Sequence, residues 1–195
     1  MSLAVVLTRA NIGIEAPIVR VEAHLSNGLP GFTIVGLPET AVKESKERVR
    51  SALLNSQLDF PDKRITINLA PADLPKSGGR YDLAIAIGIL AASGQLPTES
   101  LQDIEFLGEL ALSGEVRAIT AVLPGIMAAQ NAGHEVIIPQ DNEKEAGLLS
   151  KGKTLVAPHL LDVLSLLNHA SELARPTSTT LREPYFNEDM SDVIG

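Results

Sequence analysis

The chain has 195 residues, 45% hydrophobic and 21% charged, a composition that supports one core of ordinary domain size and excludes a disordered or fibrous chain. Sixteen basic against 24 acidic residues give a formal net charge of −8, which opposes non-specific attraction to nucleic acid or to an anionic membrane unless basic groups cluster. Cysteine is absent, which excludes disulfides and thiolate metal sites, and with 3% aromatic residues and no tryptophan the core must be built from Ala, Val, Ile and Leu.

Residues 3–8, 18–24 and 32–35 are short β-prone runs separated by turn material, and they predict three early strands paired antiparallel. Thr40 then stands where an N-cap would open a helix whose Val42, Val49, Ala52 and Leu53 recur at helical spacing, with mixed charges on a solvated face. Residues 64–69 alternate like a strand with one buried face. The stretch Pro75-Lys-Ser-Gly-Gly-Arg-Tyr-Asp82 follows, a basic glycine-rich loop ahead of a segment apolar on every side, with Asp82 in the first turn of that helix, where a carboxylate suits the dipole.

Residues 105–109 and 115–119 read as strands around a Ser113-Gly114 turn, and 122–132 as a helix stopped by Gly133. Residues 135–139 and 154–157 read as strands, Asn142 as the cap of a helix over 143–149, and 159–168 as a last helix started by Pro158. Strands interleaved with helices predict an α/β domain. From Ser171 the pattern lapses into a polar, proline-containing tail that reads as a linker. No basic segment precedes an apolar one at the start, and the longest apolar run, 83–92, is about half of a membrane span, so a soluble, cytoplasmic protein with no membrane partner is expected.

The chemical motifs are sparse. Gly147-Leu-Leu-Ser-Lys-Gly-Lys-Thr154 fits the phosphate-loop pattern letter for letter, but a phosphate loop must leave a strand and open a helix, and here an amphipathic helix precedes and a strand follows. A G-x-G-x-x-G fingerprint is absent, and His24, His134, His159 and His169 lack ligand spacing. Ser77 beside Lys76 is a weak nucleophile–base candidate, because neighbouring side chains in an extended loop diverge.

The segments starting Gly28-Leu-Pro-Gly-Phe-Thr-Ile-Val-Gly-Leu-Pro-Glu-Thr40, Ile67-Asn-Leu-Ala-Pro-Ala-Asp-Leu-Pro-Lys76, Gly79-Arg-Tyr-Asp-Leu-Ala-Ile-Ala86 and Gly108-Glu-Leu-Ala-Leu-Ser-Gly-Glu-Val-Arg117 carry a specific resemblance. From residue 1 to about 170 the chain resembles the amino-terminal domain of the magnesium-chelatase-like AAA+ ATPases of the ComM/YifB type. That domain is similar in turn to the proteolytic domain of Lon and the carboxy-terminal domain of RadA, an α/β (α+β) architecture shared with ribosomal protein S5 domain 2. The resemblance implies a Lon-like domain over 1–170 and a linker over 171–195, Ser191 to Gly195 resembling the lead-in to an AAA+ module. ATP and Mg²⁺ would belong to that module, and no cofactor to this portion.

Aligned on Lon's nucleophile segment, the serine position falls at Arg80, and the lysine position of the following helix falls at Leu123. Arginine accepts no acyl group and leucine takes no proton, so catalytic residues are expected to be absent. The family is associated with ring-shaped, hexameric branch-migration helicases acting on DNA in natural transformation. This gives Lys76, Arg80 and Arg117 a reading as phosphate contacts inside a ring of self-associated subunits, against a plain reading as solvated loop charges. A residual peptidase using Ser77 or Ser113 and a pure protein-interaction module are the alternatives. The chelatase name is read as similarity of the ATPase module, since nothing in the sequence suggests a porphyrin pocket.

Overall fold

The fold was taken from a computed structural model, which describes residues 2–149 and 152–178. Its strands are β1 (Ser2–Arg9), β2 (Ile18–Ser26), β3 (Gly31–Val35), β4 (Arg64–Ala70), β5 (Ile104–Phe106), β6 (Glu109–Leu110), β7 (Val116–Arg117), β8 (Glu135–Pro139) and β9 (Thr154–Ala157). Seven of them form one sheet in the order β3-β4-β2-β1-β5-β8-β9, while β6 and β7 make a separate hairpin across the Ser113-Gly114 turn. β1 with β2 and β2 with β4 run antiparallel, and the other four pairings of the large sheet are parallel. The architecture is therefore mixed α/β with a mostly parallel sheet, as the interleaved pattern predicts.

The three early strands do not all pair antiparallel with one another. β3 does not join β2 in an antiparallel hairpin; it crosses over and pairs with β4 in parallel at the sheet edge, from Gly31↔Arg64 to Val35↔Asn68. The local sequence carries the strand, but not its partner.

Six helices pack on this sheet: α1 (Thr40–Lys43), α2 (Ser45–Asn55), α3 (Asp82–Ala92), α4 (Val122–Asn131), α5 (Glu143–Ala146) and α6 (Leu160–Leu167). Val19, Val21, Ala23 and Leu25 of β2 and Ile65, Ile67 and Leu69 of β4 turn one face inward and are buried under α2 and α3. Every residue of α3 is buried, so an apolar surface all round is a requirement there. β8 is covered on both faces: Ile137 joins the main core, while Val136 and Ile138 join a second cluster with Val122, Ile126 and Ala129 of α4. This double cover explains why β8 reads as an unbroken apolar run.

Helix ends differ from the simplest reading. Thr40 is the first residue of α1, not its cap; Glu39 holds the N-cap position and makes no side-chain cap bond. His159, not Pro158, caps α6, its Nδ1 accepting the Leu161 N–H at 3.1 Å. Gly133, with φ of +81°, follows α4 as expected.

Two polar devices tie the layers together. β1 and β5 share a single register pair, Leu7↔Glu105; across this seam the Arg9 guanidinium donates two 2.6 Å hydrogen bonds to the fully buried Glu105 carboxylate, and His134 Nδ1 donates a third at 2.8 Å. At the start of α3 the buried Asp82 carboxylate accepts from Ser45 Oγ, Arg48 Nε at 2.6 Å and the Leu110 N–H at 3.2 Å. Burial pushes the Asp82 carboxyl up from its ordinary pKa, with the Arg48 and Ser45 hydrogen bonds, the Arg48 charge and the Leu110 N–H pulling the other way. Removing one member of a buried pair strands the other. Asp82→Ala is therefore expected to lower unfolding free energy by about 3 kcal/mol in urea titrations, and Arg48→Met, which leaves Ser45 and the Leu110 N–H on the carboxylate, by less.

Candidate functional site

The glycine-rich loop between β4 and α3 forms one wall of a cleft of 210 Å³, with Ser77, Gly78, Gly79 and Arg80 on one side and Ala118, Ile119 and Thr120 opposite. Gly78 supplies the left-handed turn, with φ of +74°. Gly79 lies against Glu109: a Cβ there would come within 2.2 Å of Glu109 Oε2, so any larger residue would push that carboxylate, which lines the cleft, out of its present place. The opposite wall is held by Asn142. Its side chain accepts the Ile119 N–H and donates to the Ile119 carbonyl, both at 3.0 Å. Asn142 thus stands at the N-cap position of α5 without capping it, and that helix stops at Ala146.

The loop's basic residues do not form an open patch. Lys76 is fully buried; its Nζ donates to the Gly36 carbonyl at 2.8 Å and to the Pro71 carbonyl, and its own carbonyl accepts the Glu39 N–H. Burial lowers the Lys76 pKa, with Asp73 opposing. Gly36 sits so close to β4, at φ of +99°, that an added Cβ would lie 2.2 Å from the Leu69 carbonyl oxygen. Lys76 is therefore a strut joining the turn after β3 to the loop after β4, and its ammonium does not face solvent as a phosphate contact must.

Arg80 is 5% exposed, and Nη2 donates to the Thr120 and Ala121 carbonyls, 3.3 Å from each. Its Nε has no partner among the described residues, and desolvation lowers its pKa, partly offset by Tyr81. The guanidinium thus ties the loop to the residues just before α4. Leu123 is half-buried on α4, packed against the second apolar cluster rather than lining the cleft. Of the three cations, Arg117 alone, on β7, is exposed.

Ser77 is exposed at the cleft. Ser113 is exposed on the β6–β7 turn, where its carbonyl, not its hydroxyl, accepts from His159 Nε2 at 3.1 Å; with Nδ1 taken by Leu161, neither ring nitrogen is free to act as a base on Ser113. The Gly147–Thr154 match lies between α5 and β9, helix before and strand after, the reverse of a phosphate loop; Ser150 and Lys151 within it lie outside the described residues. Glu109 and Asn142 were not singled out in the sequence as parts of a site. Glu109 belongs to the Gly108-Glu109 stretch that carries the resemblance, and as one carboxylate beside Glu115 and Asp82 its spacing alone marks no acid–base pair.

Residues 21–142 match the family described as subunit ChlI of Mg-chelatase. The chain belongs to this family. It is 53% identical over 201 residues to Competence protein ComM of Haemophilus influenzae and 50% identical over 195 residues to protein YifB of Salmonella typhimurium, in each case over 100% of the chain. It spans 39% and 38% of those relatives' lengths. A further likeness, 33% identity over 107 residues, joins 54% of the chain to 19% of Lon protease 2 of Bacillus subtilis. The Lon-like reading of this ChlI-family chain thus rests on sequence similarity as well as on the α/β fold. Among the described residues no helix is long and apolar enough to cross a membrane.

Tyr81, behind the cleft loop, gives a test of its packing. Its ring is fully buried, and burial raises its pKa from 10.0 to about 12, with the Arg80 charge and the Ser77 backbone N–H opposing. Between those values the unfolded chain has lost the phenolic proton while the folded chain keeps it, so stability falls as pH rises through this window. Lys76, with its lowered pKa, contributes with the opposite sign. Comparison of wild type with Tyr81→Phe at each pH isolates the phenol: the alkaline decline of the variant is expected to be shallower by up to about 1.4 kcal/mol per pH unit above pH 10, in urea titrations.

Proposed function

We propose that this chain is a non-catalytic assembly and DNA-guiding domain of a magnesium-chelatase-like AAA+ ATPase. The whole protein is an ATP-dependent branch-migration helicase that works as a hexameric ring in natural transformation and recombination. ATP and Mg²⁺ act in the AAA+ module, which follows the linker. The observation that carries the non-catalytic part is Arg80: where the resemblance to Lon puts a nucleophilic hydroxyl, this chain has a guanidinium lodged on two backbone carbonyls, and the position for the lysine is Leu123, packed in an apolar cluster. The name of the Haemophilus relative, a competence protein, supports the DNA-uptake context. Because Lys76 and Arg80 are buried, Arg117 is the member of that set free to meet a phosphate.

The peptidase reading retains two exposed serines, Ser77 and Ser113. The purified chain is expected to leave casein intact over hours, with Ser77→Ala and Ser113→Ala indistinguishable from wild type; cleavage lost in either variant overturns the non-catalytic reading. In gel-shift titrations at low salt the chain is expected to retain DNA, with affinity falling steeply as salt rises. If no DNA is retained even at the lowest salt, the chain is a protein-interaction module instead.

A further inference from the structure

The net charge of −8 hides one local exception. Of the aromatic rings among the described residues, Tyr81 and Phe106 are sealed in the core, while Phe32 and Phe60 are half-buried and meet beside the edge strand β3. Their centroids are 6.0 Å apart with planes tilted by 43°. The Arg50 guanidinium lies over the Phe60 ring, 4.7 Å from its centroid. Lys63 joins Phe32, Phe60 and Arg50 around a depression of 170 Å³, and Arg64 follows at the first register pair with β3. Arg50, Lys63 and Arg64 are all exposed, and among the described residues none has a carboxylate within ion-pair distance. Asp62 lines the same depression and opposes anions there, but Arg50 and Lys63 line it too, and Arg64 is the next residue along the chain.

Cations spaced along an edge suit a phosphate backbone, and a planar guanidinium layered on a phenyl ring offers a stacking face to an unpaired base. A duplex keeps its bases stacked on one another and has no use for such a face.

We propose that this edge binds single-stranded nucleic acid, with phosphates meeting Arg50, Lys63 and Arg64 and a base stacking on the Arg50–Phe60 pair. The proposal rests on the DNA-guiding reading and moves its contact surface from the glycine-rich loop to the β3–β4 edge.

The test is fluorescence anisotropy of a labelled oligothymidine with the 195-residue chain across a salt series. Arg50→Ala/Lys63→Ala is expected to bind about tenfold more weakly, with a slope of log affinity against log salt shallower by about 1.4, the value for two lost contacts on a single strand. Phe60→Leu is expected to bind at least about fivefold more weakly at an unchanged slope. Arg20→Ala/Lys153→Ala, which removes exposed cations elsewhere, should change neither. Thermal unfolding accompanies each variant, and if Phe60→Leu fails to fold, the double cation variant decides alone. Wild-type binding that the double variant retains in full overturns this site and leaves the DNA-guiding reading standing. No binding by wild type overturns both. Competition by poly-glutamate as strong as by unlabelled oligothymidine, with Phe60→Leu without effect, assigns the edge to an acidic peptide and overturns the proposal.

Discussion

The rest of the molecule is arranged around the need to cover α3 on every side. A helix without a polar stripe cannot lie on a surface, and the inner face of β1, β2 and β4, helix α2 and the β5–β6 region close over it. Its one carboxylate, Asp82, is buried with it and must be satisfied. Ser45 and Arg48 of α2 and the N–H of Leu110 do this, so one polar group sets the relation of three elements. The glycine-rich loop immediately precedes Asp82 and Glu109 immediately precedes Leu110. Cleft geometry is thus a consequence of how the first turn of α3 is satisfied.

The same logic accounts for the loop's cations. A buried ammonium or guanidinium is tolerated when backbone carbonyls replace its water. Lys76 reaches carbonyls on either side of the β3–β4 pairing, and Arg80 reaches those ahead of α4. Both side chains act within the fold, and at these positions positive charge in the sequence does not translate into positive charge at the surface. The cations that do reach solvent beside aromatic rings come from α2 and the start of β4, from residues that look in sequence like an ordinary solvated helix face and a turn.

What could be read from sequence divides along the range of the forces involved. The alternation in β4, the helical spacing of Val42, Val49, Ala52 and Leu53, the stop at Gly133 and the reversed order around Gly147 are local, and each was legible. The parallel pairing of β3, the capping of α6 by His159 and the use of Asn142 to hold Ile119 depend on partners that local propensity does not specify. Lys76 is the clearest instance. A lysine in a glycine-rich loop reads as exposed, and only the approach of Gly36, forty residues earlier, reveals a carbonyl waiting for it. The loop was legible as a glycine-rich segment ahead of an apolar helix, but the make-up of the cleft was not, because Asn11 and Glu109 enter it from other parts of the chain and Asn142 holds its far wall from behind.

The path by which the chain leaves the domain follows from the same contacts. The segment after Ser171, polar enough to read as linker from its start, does not detach there. Leu173 packs against the main core, the Ala174 carbonyl accepts the Val156 N–H of β9 at 2.9 Å, and Thr177 donates through both N–H and Oγ1 to the Glu143 carboxylate. Glu143 is the next residue after Asn142, whose amide fixes Ile119 in the cleft wall. The chain as far as Thr177, the start of α5 and the cleft wall therefore form one hydrogen-bonded unit.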